Sequence, residues 1–182
     1  MADRRPLTEE LRKTPDTIDQ LEMAACSRYD EAEDLRRRNH LLAALYLYGF
    51  SAEMCLAAAY FRRAGFPREE IIDGGQRNVH MAQAQKTRDA AGEPLMGRDK
   101  HPVDGWARLL EWQRRRDPSR PLSPEEERLF GDAVIRAKQV YIYRHWRPRL
   151  RYTTVHVARE QLDEVRECAD WFIRHRHELT GG

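Results

Sequence analysis

Cysteine is scarce: Cys26, Cys55 and Cys168 lie far apart with no Cys-x-x-Cys spacing, which excludes a disulfide framework and a zinc knuckle. Alternating Ile/Val runs bounded by tight-turn signals are missing, so no β-sheet is expected. No P-loop, Gly-x-Gly-x-x-Gly fingerprint or nucleophile elbow occurs. His40, His80, His175 and His177 have no metal-ligand spacing to cysteines or carboxylates, so neither a metal nor a cofactor is expected. Charge of one sign is not in excess overall. With 32 basic and 30 acidic residues the formal net charge is +2, so the whole chain is neither a basic nucleic-acid coat nor an acidic tail. The opening Met1–Pro6 leads into a polar stretch and not an apolar h-region, so we expect no secretory signal, free thiols and a cytoplasmic protein.

What is present is helical patterning. The 182 residues, 41% of them hydrophobic, suit one domain with a real core. We divide them into an N-terminal extension, 1–16, in which Thr8 can cap a short helix to Lys13, and a helical domain, 17–182. Thr17 and Gln20 form a capping-box signature, followed by Ile18, Leu21, Ala25, Tyr29, Ala32 and Leu35 along one helical face. Leu41 to Phe61 is long and apolar enough to span a bilayer. Glu53 in its middle, its many alanines and the lack of a second such segment favour a central helix buried on all sides, with no membrane partner. Residues 74–100 are poorly patterned and read as an insertion. Val103, Trp106, Leu109 and Leu110 mark a short amphipathic helix ending by Asp117-Pro118. Ser123-Pro124-Glu125-Glu126 is a strong helix start. The helix it opens carries Phe130, Ala133, Ala137, Val140 and Tyr141 and stops before Pro148. Ala158, Leu162, Val165, Ala169 and Phe172 mark the last helix. The expected fold is all-α, an antiparallel four- to five-helix bundle with short joints.

The charge is unevenly spread. Between Asp132 and Glu160 there is no acidic residue but seven basic ones, Arg136, Lys138, Arg144, Arg147, Arg149, Arg151 and Arg159, leaving 25 basic against 30 acidic residues elsewhere. Tyr141, Tyr143, His145, Trp146, Tyr152 and His156 are interleaved with them. Guanidinium groups bind phosphates bidentately and aromatic rings stack unpaired bases. The segment therefore reads as an RNA-binding surface, with Arg144, His145, Trp146, Arg147 and Tyr152 as contacts. The competing reading pairs the arginines with Glu31, Glu33 and Asp34 of other helices and puts the aromatics in the core.

Several stretches resemble the HEPN domain family. Arg151 precedes His156 with four residues between, and Arg149 precedes it with six, similar to the Arg-x4-6-His motif near the last long helix of the family's ribonucleases. Tyr29-Asp30-Glu31-Ala32 is similar to the family's first-helix ending, and Leu45 to Tyr60, with Glu53, to its second helix. His101 with Leu109-Leu110 resembles its third helix, and Trp146 to Tyr152 a Trp…Arg-Tyr element. The resemblance covers roughly 18–178 except the insertion. It implies a metal-independent endoribonuclease of a toxin–antitoxin or defence system, working as a homodimer with a composite site. It equally allows a non-catalytic dimeric module that binds a nucleotide or a partner such as a nucleotidyltransferase. A bundle with a basic face that only binds nucleic acid is the reading outside the family. Tyr152 after the arginine and Ala158 two after the histidine depart from the nuclease pattern.

In the nuclease reading, Arg151 or Arg149 holds the scissile phosphate and His156 is the acid/base. With Thr153 or Thr154 as helix cap, His156 would stand at a helix N-terminus, where the dipole favours phosphate and lowers the histidine pKa. Its alternative is a capping or surface histidine. Glu53, a carboxylate in an apolar helix, needs a cation: a structural ion pair with Arg144 or Arg151, a role in orienting the site arginine, or both. His101 is expected at a helix N-terminus.

Overall fold

The computed structural model describes residues 17–97, 103–140, 146 and 148–181, with secondary structure that is helical and, among these residues, includes no β-strand. The predicted extension 1–16 and His101 lie outside the described residues. Seven α-helices are described: α1 (Ile18–Arg37), α2 (Leu41–Arg63), α3 (Gly74–Lys86), α4 (Val103–Arg115), α5 (Pro124–Ile135), α6 (Arg159–Arg174) and α7 (Arg176–Thr180). The all-α expectation holds.

Local chemistry sets the boundaries. Thr17 caps α1 by accepting the Gln20 amide, and Arg36 and Arg37 meet the negative end of its dipole. The helix ends in a Schellman turn: His40 N–H donates to Leu35 O at 2.9 Å, and Asn39 N–H to Arg36 O at 3.0 Å. Asn39 supplies the left-handed conformation, φ 63°, that such a turn requires. The same device closes α2, with Gly65 at φ 91° and Phe66 N–H donating to Phe61 O at 3.1 Å.

α2 is the axis of the molecule and packs against α1, α4, α6 and α7. It is the one helix among the described residues long and apolar enough to cross a membrane, and 14 of its 23 residues are buried inside the protein. Its apolar circumference is thus met by neighbouring helices. Trp106, Trp146, Tyr48, Phe61, Phe130 and Phe172 are the largest fully buried side chains around it.

The reading of 74–100 as unpatterned is corrected by α3. Asp73 accepts the Gln76 amide at 2.7 Å, and the Gln76 side chain accepts the Asp73 amide, a complete capping box. Within α3 only Ala84 is buried. The helix is held by His80, whose ring meets Tyr60 Oη at 2.7 Å and packs edge-on against Phe61 and Phe66. An aromatic and hydrogen-bonded attachment leaves little hydrophobic periodicity to see. The helix opened by Ser123 passes from α5, which ends at Ile135, directly into a π-turn, Arg136–Val140, and residues 141–145 of its expected span lie outside the described residues. Phe130, Ala133 and Ala137 are buried as expected, whereas Tyr141 lies outside the described residues.

Candidate nucleic-acid interface

The described part of the basic, acid-free segment packs on α2 at Trp146 and runs along the first turns of α2 to α6. Trp146 is 2% exposed. Its indole lies on Gly49, its Nε1–H donates to Tyr46 O at 2.9 Å, and Phe50 meets it edge-on at 5.4 Å. Burial removes Trp146 from the set of base-stacking contacts: its ring faces are occupied by α2.

A 3-10 turn, Pro148–Tyr152, carries Arg149 and the backbone of Arg151. Leu150 and Thr153 face a groove of about 470 Å³ whose other wall is Leu41, Leu42 and Tyr46. The Thr153 amide and hydroxyl both donate to Leu150 O, each at 3.1 Å, which closes the turn. Extended chain follows to Val157, which is buried, and Ala158 begins α6. Gln161 Oε1 accepts the Ala158 amide at 3.0 Å, and Arg159 Nη2 donates to Asn39 Oδ1 at 3.0 Å. The segment is therefore a strap pinned by Trp146, Leu150, Val157 and Arg159. Between those pins Arg149, Tyr152, Val155 and His156 face solvent, Tyr152 at 74% exposure.

Two expectations about the strap change. The cap at Thr153 or Thr154 does not form, because the Thr153 hydroxyl is spent on Leu150 O and the N-cap position falls to Ala158. His156 accordingly sits two residues ahead of the cap, outside the first turn where a helix dipole acts strongly. Arg144, His145 and Arg147 lie outside the described residues.

The carboxylates that might have neutralised the strap are engaged elsewhere. Glu31 pairs with Arg28, Asp34 with Arg37, and Glu33 with Arg36 and with Arg166 of α6. Among the described residues neither Arg149 nor His156 makes an ion pair.

Glu53 has one cation partner among the described residues, while the side chains of its expected partners Arg144 and Arg151 lie outside them. It is 1% exposed, and Arg77 of α3 reaches its Oε1 at 3.4 Å. Glu53 stands about one turn along α2 from Gly49, on which the strap's Trp146 lies. The structure thus brings Arg149, Tyr152 and His156 onto one strap, and Glu53 meets Arg77 of α3.

Sequence patterning did not reveal the polar knot between α1, α2 and α6. Glu33 accepts from Tyr48 Oη at 2.7 Å and from Arg36 Nη2 at 3.0 Å, as well as from Arg166, while Tyr29 Oη donates to Asp170 at 3.2 Å. Burial alone would push the Glu33 carboxyl upward, but the hydrogen bonds from Tyr48, Arg166 and Arg36 outweigh it and hold the pKa at about 2. Burial, with the Asp170 charge, pushes Tyr29 up to about 12. The seven-residue spacing of Arg159 and Arg166, on one face of a helix, was the available hint.

Compared with protein-family models, curated proteins and solved structures, the chain matches none of them.

Proposed function

We propose that this chain is a HEPN-type antiparallel helical bundle that binds RNA on the strap 149–159 and cleaves it without a metal, in a cytoplasmic toxin–antitoxin or defence setting. The supporting observation is that Arg149, Tyr152 and His156 all face solvent from one pinned segment, with no carboxylate among the described residues paired to Arg149 or His156. Tyr152 offers a face for an unpaired base, and Arg149 and Arg151 hold the phosphate. His156 takes the 2′-OH proton as the 2′ oxygen bonds to phosphorus. The P–O5′ bond breaks, leaving a 2′,3′-cyclic phosphate. The 5′ oxygen takes a proton from the second protomer's imidazolium, in keeping with the homodimer that the resemblance implies.

The test is cleavage of end-labelled single-stranded RNA in EDTA by wild type, His156→Ala and Arg149→Ala. Cutting should fall by roughly 10²-fold or more without the histidine, with RNA binding retained. Light scattering should give twice the 21.5 kDa chain mass.

The burial of Trp146 favours a second reading, a non-catalytic module of the same fold. Its apolar groove at Leu41, Leu42 and Leu150 would then seat a partner protein such as a nucleotidyltransferase. RNA left intact by wild type under the same conditions selects it.

A further inference from the structure

We infer a nucleoside-phosphate site in the cleft between α4, the start of the π-turn and the loop 87–97, away from the strap and independent of its function. The cleft encloses about 530 Å³, within the range of small-molecule sites. Arg88, Arg108, Arg115, Arg116 and Lys138 line it, against two carboxylates, Asp89 and Glu111. Both carboxylates are already committed: Asp89 binds Arg108 at 2.7 Å and Glu111 binds Arg115 at 3.0 Å. Among the described residues Arg88, Arg116 and Lys138 make no ion pair, so three cations without a described carboxylate partner share one concavity. An anion with several acceptor oxygens is the ligand that relieves this.

The rest of the lining points to a planar body behind that anion. Leu95, Val134 and the indole of Trp112 form an apolar wall, and the Arg116 guanidinium lies 4.5 Å from the Trp112 ring centre. A guanidinium stacked on an indole is itself a flat platform for a base. The loop carrying Arg88 is preorganised: Asp89 Oδ1 accepts the Ala91 and Glu93 amides, each at 2.9 Å, while its Oδ2 accepts from Arg108. A phosphate attached to an aromatic base, either a free nucleotide or a unit of a strand, fits both halves of the cleft.

Trp112 is also a probe, since Trp106, Trp146 and Trp171 are buried. The full chain is titrated with AMP, with a 2′-O-methyl oligoribonucleotide that cannot be cut by 2′-OH attack, and with inorganic phosphate. We expect saturable quenching of tryptophan emission that disappears in Trp112→Phe. Calorimetry should show binding of AMP or oligonucleotide about tenfold weaker in Arg88→Ala/Lys138→Ala, and inorganic phosphate weaker still. Comparable affinity for AMP and the oligonucleotide identifies a free-nucleotide site; much tighter oligonucleotide binding identifies a strand site. Absence of saturable binding to both, or binding unchanged in Arg88→Ala/Lys138→Ala, overturns the inference. The Arg149→Ala/His156→Ala variant should bind in the cleft as wild type does, so failure of the nuclease proposal leaves this result standing.

Discussion

The indole of Trp146 occupies the space that a side chain on residue 49 would need: a Cβ built on Gly49 would stand 2.1 Å from Trp146 Cδ1. A residue in the middle of the basic segment thereby fastens that segment to the central helix through the one residue type that lets it approach.

This contact predicts a change of sign. Alanine improves helix propensity by about 1 kcal/mol over glycine, but beside Trp146 the clash should exceed that gain, and Gly49→Ala should destabilise by about 1–3 kcal/mol. In a Trp146→Ala background the same substitution should stabilise. Urea melts of the four variants measure it, and destabilisation in both backgrounds would refute the contact's role.

The Glu33 knot predicts acid sensitivity. Its folded pKa, about 2, lies below the ordinary value of 4.5. The stabilisation is therefore fully present above about pH 4.5 and is lost as pH falls through about 2. The shift corresponds to a contribution on the order of 3 kcal/mol. Glu33→Gln should flatten the stability-against-pH curve across that window, and an unchanged slope would show that the knot contributes nothing.

Glu126 serves three arginines besides capping its own helix. It meets Arg63 at 3.3 Å, Arg114 at 3.1 Å and Arg120 at 3.4 Å, and Arg114 is only 4% exposed. Arg63 in turn donates to Leu179 O and Glu178 O, tying α7 to α2. Glu126→Ala should cost about 3–5 kcal/mol because it removes the carboxylate from a buried guanidinium. Amide exchange in α7 should quicken with it. A loss below 1 kcal/mol would mean that Arg120 O and the Asp117 carboxylate suffice for Arg114.

The thiols should differ in reactivity. Burial pushes Cys168 up to about 12 and Cys55 still further, while Cys26 is only partly buried and raised less. A maleimide added to the folded chain should modify Cys26 alone, slowly, and all three cysteines after denaturation. Rapid native labelling of Cys55 or Cys168 would contradict their packing.

The helices with strong one-sided apolar spacing, α1, α4 and α6, were legible from residues such as Ile18, Trp106 and Leu162, and the start of α5 from Ser123-Pro124-Glu125-Glu126. α3 was not, although Asp73 and Gln76 formed a readable cap. Two glycines open it, and its anchors, His80 against Tyr60 and Arg77 against Glu53, are polar partners from a distant part of the chain. The candidate site was legible as a charge asymmetry but not as a surface. Tyr152 and Trp146 are both aromatic residues among arginines, and only one of them reaches solvent.

Helical periodicity, capping signatures and the segregation of basic charge are properties of short windows, because hydrogen bonds within a helix and at its caps span only a few residues. They were decided before the chain folded on itself. Which aromatic ring is covered, which guanidinium keeps its charge uncompensated and which cation answers Glu53 are matters of contacts between residues tens of positions apart. Those depend on how α2 is surrounded, so only the packed bundle could assign them.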